Sequence, residues 1–243
     1  MNTTSTPPRS SGSSTTAGPS YVSTAPAPAR TDLDHHAART ADGAEATATG
    51  AARIRPATVR GHALPLVLGA LAWSVSSFAL GFNPSSSVGI VVQDLSGLAF
   101  QVGVMSLVLL QLRTAATGTG RGARIMLRVE QVLLSLAMVW TLVHALVPSA
   151  RDDAWLAVLD LFWPLSMLGM FVIAVKIAFA GRWRGLARYW PLVAESWAVV
   201  SVPSVLVGGD VLGKYVGSTH LLIGYVTLGL ILMARPHLVG AQD

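Results

Sequence analysis

Six ionisable side chains interrupt long apolar stretches of this sequence, and their types could support chemistry. They fall into two groups, which are His144, Asp160 and His220 on the one hand and Glu130, Lys176 and Glu195 on the other. Imidazole and carboxylate groups bind protons and metal ions, and histidine changes charge near neutral pH. A zinc site, however, needs three or four protein ligands. Two histidines without a fixed spacing do not indicate one, so we predict no metal and no cofactor.

The apolar stretches that hold these residues predict membrane-spanning helices. Of 243 residues, 52% are apolar and only 12% are charged, whereas a soluble domain has about 25% charged residues. Each stretch is about 20 residues long, the length of an α-helix that crosses about 30 Å of hydrocarbon. The predicted spans are residues 64–82, 95–112, 125–147, 155–180, 189–207 and 212–234. We therefore predict an all-α, polytopic six-helix transmembrane bundle.

The distribution of basic residues predicts how this bundle is oriented. With six spans, fifteen of the seventeen Lys and Arg residues fall on one side, and only Arg151 and Lys214 fall on the other. Cytoplasmic loops are enriched in Lys and Arg. Both termini are therefore expected in the cytoplasm, in a plasma or inner membrane, with basic residues against anionic lipid headgroups.

The first group of ionisable residues could form a polar pocket in the outer half of the bilayer. Because span direction alternates, His144, Asp160 and His220 all fall in that half, and they could converge if spans three, four and six are neighbours. Such a pocket could bind a proton, a cation or a metal. The preferred interpretation is instead that His144 is hydrated at the interface, Asp160 caps a helix or extends outward, and His220 donates to a backbone carbonyl.

The second group lies toward the cytoplasmic side of the spans. Glu195 is at a depth similar to that of Lys176, and Glu130 is close in sequence to Arg128. The preferred interpretation is that each carboxylate pairs with a basic residue at the cytoplasmic rim. The alternative is that Glu195 is a protonatable carboxylate on a transport path, in a span that Pro203 would also kink.

Composition divides the chain into three parts. Residues 1–61 are rich in Ser, Thr, Pro, Ala and Gly, and they bury too little apolar surface to offset the entropy of ordering. We therefore predict a disordered cytoplasmic tail over 1–61, a membrane domain over 62–236 and a short cytoplasmic C-terminus over 237–243. Since the basic residues flank apolar spans, they indicate membrane topology rather than nucleic-acid binding.

No motif in the sequence specifies a reaction. The chain has no cysteine, which excludes thiolate metal sites and cysteine nucleophiles. The preferred hypothesis is a non-enzymatic membrane component that binds a partner protein, a second copy of itself or a lipophilic ligand. Two alternatives remain open, a small proton-coupled secondary transporter and an intramembrane metal-dependent enzyme built on His144, Asp160 and His220.

Overall fold

Helices are the regular elements of this protein wherever its structure is described. The computed structural model describes residues 54–242, and those residues contain no strand, only one isolated bridge between Ile54 and Ala241. The predicted all-α class is therefore confirmed for this range, whereas residues 1–53 of the predicted tail over 1–61 lie outside it. The helices are α1 (Pro56–Leu80), α2 (Ser87–Arg113), α3 (Arg121–Leu146), α4 (Ala154–Asp160), α5 (Phe162–Ala180), α6 (Gly185–Glu195), α7 (Trp197–Leu221) and α8 (Thr227–Ala234).

Five stretches are long and apolar enough to cross a membrane. They are Pro56–Leu80, Ser87–Arg113, Arg121–Leu146, Ala154–Ala180 and Gly185–Ala234. The first four correspond to the first four predicted spans, and the predicted spans five and six fall together in the last stretch of 50 residues. By length and composition the described residues thus give five candidate spans rather than six.

The last stretch does not run straight. A straight 50-residue helix would be about 75 Å long, more than twice the thickness of the hydrocarbon layer. Instead the chain reverses at Gly209, whose φ of 67° and ψ of −169° are not helical. The two arms then pack together, since the indole Nε1 of Trp197 donates to the carbonyl oxygen of Gly217 at 3.0 Å. We call the two arms, from Gly185 to Ala234, the last hairpin.

Several helices begin earlier than hydropathy indicates because polar residues form their first turns. Pro56 occupies the first turn of α1, where its missing N–H is not needed, so this helix starts five residues before the predicted end of the tail. Ser86 caps α2, since its Oγ accepts a hydrogen bond from the Gly89 amide at 3.1 Å. Hydropathy does not detect such residues, which explains the late boundaries.

The closest helix pair is α1 with α2, and glycines make this approach possible. A Cβ on Gly103 would lie 2.7 Å from the Leu66 Cα, and one on Gly69 would overlap the carbonyl oxygen of Ala99. Gly103 lies four residues after Ala99, so two small residues follow each other on one face of α2. Small residues that let backbones meet are typical of helix contacts in membranes.

Contacts between turns define two ends of the bundle. At one end Gln242 donates its amide to the Ile54 carbonyl at 3.1 Å, and Arg184 donates its amide to the Leu238 carbonyl at 2.9 Å. This end also carries the turns after α2 and α5, which contain or are flanked by arginines. We call it the Arg-rich end. At the other end the turn after α1 lies beside Lys214, near the reversal of the last hairpin, and we call this the Gly209 end.

Candidate functional site

Two acidic side chains are buried inside the bundle, and they form the most unusual polar feature of the described residues. Glu130 is 1% exposed and Glu195 is 4% exposed. Each lies in a helix whose other buried residues carry no ionisable group. Because charged groups are almost never fully buried without a partner, the neighbours of these two residues determine what they can do.

The helical stripe of α3 explains why Glu130 points inward. The buried residues of α3 recur every three or four positions, and Glu130 occupies one of these positions. Such spacing places side chains on one face of a helix. Across from it, the Ser166 Oγ donates a hydrogen bond of 2.5 Å to Glu130 Oε1. One turn further along α5, a Cβ on Gly169 would overlap Glu130 Oε2, so Ser166 and Gly169 form a notch that accepts this carboxyl group.

Glu195 lies where the helix is interrupted. It is the last residue of α6, and Ser196 separates it from α7. The hydroxyl of Tyr225 donates to Glu195 Oε2 at 2.6 Å, from a π-helical turn over Leu222–Val226. The other carboxyl oxygen, Oε1, is buried and has no hydrogen-bond partner among the described residues. Among the described residues, this carboxyl group therefore accepts a hydrogen bond at Oε2 only.

The two carboxyl groups have separate hydrogen-bond partners, and both are buried within the same bundle. We call Glu130, Ser166, Glu195 and Tyr225 the acidic site. Tyr225 also joins this site to an aromatic core, since its ring meets Phe100 edge-on at 4.8 Å between centroids. An aromatic ring thus packs against the Tyr225 side of the acidic site.

The predicted ion pairs are not what the structure contains. Arg128 and Lys176 are both exposed, and the only salt bridge among residues 54–242 joins His144 to Asp94. The reason is geometric. Residues two apart on a helix point in different directions, so Arg128 faces outward when Glu130 faces inward. Lys176 likewise leaves the buried face of α5.

His144 has a partner that the sequence did not suggest. Its Nδ1 lies 2.7 Å from Asp94 Oδ2, and its ring stacks on Trp140 at 4.9 Å. Arg151 donates from Nε to the His144 carbonyl at 2.8 Å. This cluster lies near the Gly209 end, where α2 begins and α3 ends.

The three residues of the predicted pocket have different neighbours. Asp160 is exposed and close enough to His144 for their charges to interact. His220 instead places Nε2 at 3.1 Å from the Ser196 Oγ, beside the acidic site. Within residues 54–242 no three His, Cys, Asp or Glu side chains lie close enough together to bind a metal ion. The structure thus brings His144 and Asp160 near each other and gives His220 separate partners.

Sequence reasoning missed Ser166, Gly169, Tyr225 and Asp94. Of these four, only Ser166 and Gly169 could have been noticed in the sequence, because they are two small residues, three positions apart, in a stretch of bulky apolar residues. Comparisons of this chain with models of protein families, with curated proteins and with solved structures gave no match.

Proposed function

We propose that this chain is a six-span integral membrane protein and acts as a small secondary transporter coupled to protons. The reversal at Gly209 supports two spans within the last hairpin. The concentration of basic residues at the Arg-rich end supports a cytoplasmic location for both chain ends, in a plasma or inner membrane. Its role then depends on what the acidic site binds.

One observation carries the proposal: two carboxyl groups are each buried in the bundle, with a hydroxyl donor and no basic partner within hydrogen-bonding distance among the described residues. An ionised side chain inside a membrane costs about 3 kcal/mol or more, and two adjacent negative charges also repel each other. One proton removes the repulsion and the burial cost of one carboxylate, while the other carboxylate keeps its own cost. The acidic site is therefore suited to gain one proton and to release it when a neighbouring group moves.

The backbone around Glu195 provides a place for such movement. The junction of α6 and α7 at Ser196 lies opposite the π-helical turn that carries Tyr225. Interrupted helices near the middle of the membrane hold coupling ions in many secondary transporters, and π-helical turns are frequent at functional sites. A small change at this junction would lengthen or break the hydrogen bond between Tyr225 and Glu195.

The proposal is tested by a pH jump on proteoliposomes adsorbed to a solid-supported electrode. The wild-type protein is expected to give a transient charge displacement as protons enter the acidic site. Glu195→Gln and Glu130→Gln should each lose that displacement, since an amide cannot take up a proton. The matched control is Asp152→Asn, which changes an exposed carboxylate in the turn between α3 and α4 and should behave as the wild type does.

The outcome that removes the proposal is equally specific. If Glu195→Gln and Glu130→Gln both reconstitute well and keep the wild-type displacement, the acidic site does not exchange protons. Elution volume in detergent serves as the check on folding for each variant.

A second candidate function is the binding of a lipophilic ligand, and a groove between α1 and α2 favours it. The groove has a volume of about 790 Å³ and is lined mainly by apolar side chains. Hydroxyl groups interrupt this lining, and the Oγ atoms of Ser76 and Ser96 lie 2.6 Å apart. A lipid acyl chain with a polar group at the serines fits this chemistry.

Native mass spectrometry with defined phospholipids tests the second candidate. Ala72→Trp would fill the groove and is expected to remove a lipid that stays bound to the wild-type protein. Leu168→Trp, at a position 61% exposed on α5, is the control and should keep that lipid. Equal lipid retention by both variants would eliminate the groove as a binding site.

A further inference from the structure

We infer that a polar route runs from the Gly209 end to Glu195 inside the last hairpin, and that protons reach the acidic site along it. This inference rests on the proposed function, because it assigns the side from which the acidic site is loaded. Its physical basis is a set of buried polar atoms that the acidic site itself does not use.

Buried polar atoms without a partner are concentrated in one part of the molecule. Of the six such side-chain atoms among residues 54–242, four lie in the last hairpin, namely Glu195 Oε1, Ser201 Oγ, Ser218 Oγ and His220 Nδ1. A buried polar group left unpaired costs about 1–3 kcal/mol, so native proteins satisfy such groups with protein atoms or water. Four in one hairpin indicate a path that water enters.

These atoms are arranged in order along the hairpin. Next to Glu195, Ser196 and His220 are in contact at 3.1 Å. Ser201 is six residues after Glu195, which is about 9 Å along the helix at 1.5 Å per residue. A Cβ on Gly217 would lie 3.3 Å from the Oγ of Ser201. Ser218 is at the same level, and its carbonyl oxygen accepts a hydrogen bond of 2.9 Å from Ser74 on α1. The series therefore points from the acidic site toward Gly209.

A pocket at the Gly209 end continues this series toward solvent. It has a volume of about 240 Å³, and Asn83, Asp210 and Lys214 provide its polar lining. Phe82 also lines the pocket, and a Cβ on Gly217 would lie 2.8 Å from the ring of Phe82. The Phe82 ring thus stands between the pocket and Ser201. It is the side chain whose displacement would join the two.

The natural absence of cysteine allows a direct test by thiol labelling. Ser201→Cys and Ser218→Cys are treated with a charged, membrane-impermeant methanethiosulfonate in sealed vesicles of either orientation. Asp210→Cys, in the pocket, marks the side on which the Gly209 end lies. Both buried cysteines should react from that side, and they should react faster when Phe82→Ala is added.

The control is Val202→Cys, since position 202 follows Ser201 but is 53% exposed on the outside of the bundle. In a membrane that cysteine faces lipid and should not react with a charged reagent. The inference is overturned if neither buried cysteine reacts even with Phe82→Ala, or if both react only from the side opposite to Asp210→Cys.

The outcome of the labelling experiment and the outcome of the pH-jump experiment are independent of each other. Labelled cysteines at 201 and 218 without a wild-type charge displacement would leave a hydrated route and remove the proton-coupled function. A charge displacement without labelling would keep that function and remove this route. Two buried positions are used so that the failure of one variant to fold leaves the test intact.

Discussion

Replacing Gly209 with alanine tests the reversal on which the six-span topology depends. The backbone of Gly209 has a φ of 67° and a ψ of −169°, a region that is essentially restricted to glycine. A Cβ at this position would meet nothing within 4 Å. Any loss of stability in Gly209→Ala therefore comes from the backbone conformation rather than from a steric clash.

The expected magnitude follows from that conformation. A residue held in such a sparsely populated region costs about 1–3 kcal/mol, so Gly209→Ala should reduce the free energy of unfolding by that amount. The matched control is Gly61→Ala in α1, where a Cβ also meets nothing within 4 Å but the backbone is helical. There alanine should stabilise by about 0.5–1 kcal/mol, so the two variants are expected to differ in sign.

Reversible unfolding in mixed detergent micelles, followed by tryptophan fluorescence, measures both variants against the wild type. The reasoning is refuted if Gly209→Ala is as stable as the wild type while Gly61→Ala behaves as expected. That result would mean that the chain does not reverse at residue 209.

Two further predictions concern contacts between helices. Gly103→Val should destabilise the folded protein by about 1–3 kcal/mol, because α1 lies directly against this glycine and overpacking forces backbones apart. A thermal midpoint equal to that of the wild type would contradict this close approach. Asp94→Ala should cost about 1–3 kcal/mol, since it leaves His144 without its carboxylate partner. Asp152→Ala, an exposed acid, should change the denaturant midpoint little, and equal effects of the two alanine variants would contradict a role for the bond.

The sequence predicted the class and the first four spans because hydrophobicity alone determines them. It predicted a boundary between residues 207 and 212, and the structure has the non-helical Gly209 there within one stretch from Gly185 to Ala234. The interruption in the fourth span comes at Leu161, so that α5 begins at Phe162 and Pro164 lies in its first turn. Helix starts were placed too late, since caps and first turns are polar.

The partners of the buried acids could not be predicted, because they depend on which helix faces come together. Glu195 and Tyr225 are thirty residues apart, and their meeting requires both the reversal at Gly209 and the π-helical turn. Glu130 was assigned to a basic neighbour in sequence, yet the helix turns that neighbour away and places Ser166 opposite. Hydropathy predicts how deep in the membrane a residue lies, but not which neighbouring helix its side chain faces.

This difference changes the order of the functional hypotheses. Carboxylates paired with basic residues at the cytoplasmic rim would have a structural role. That expectation favours a non-enzymatic binding component. Carboxyl groups buried together without basic partners are expensive to maintain in a membrane, and such groups usually have a role in ion or proton movement. The transporter hypothesis therefore moves ahead, and the groove between α1 and α2 keeps ligand binding as its alternative.

The amide of Gln242 and the carbonyl of Ile54 are hydrogen-bonded at the Arg-rich end, so the two ends of the described residues lie side by side. A short peptide linker could join these two positions and make the domain circular, with fresh termini opened in the glycine-rich turn around Gly120. Such a circular permutant should insert and fold, because every helix would keep its neighbours. In the unpermuted chain, fluorescent proteins attached at Ile54 and at Gln242 would lie side by side, close enough for energy transfer between their fluorophores.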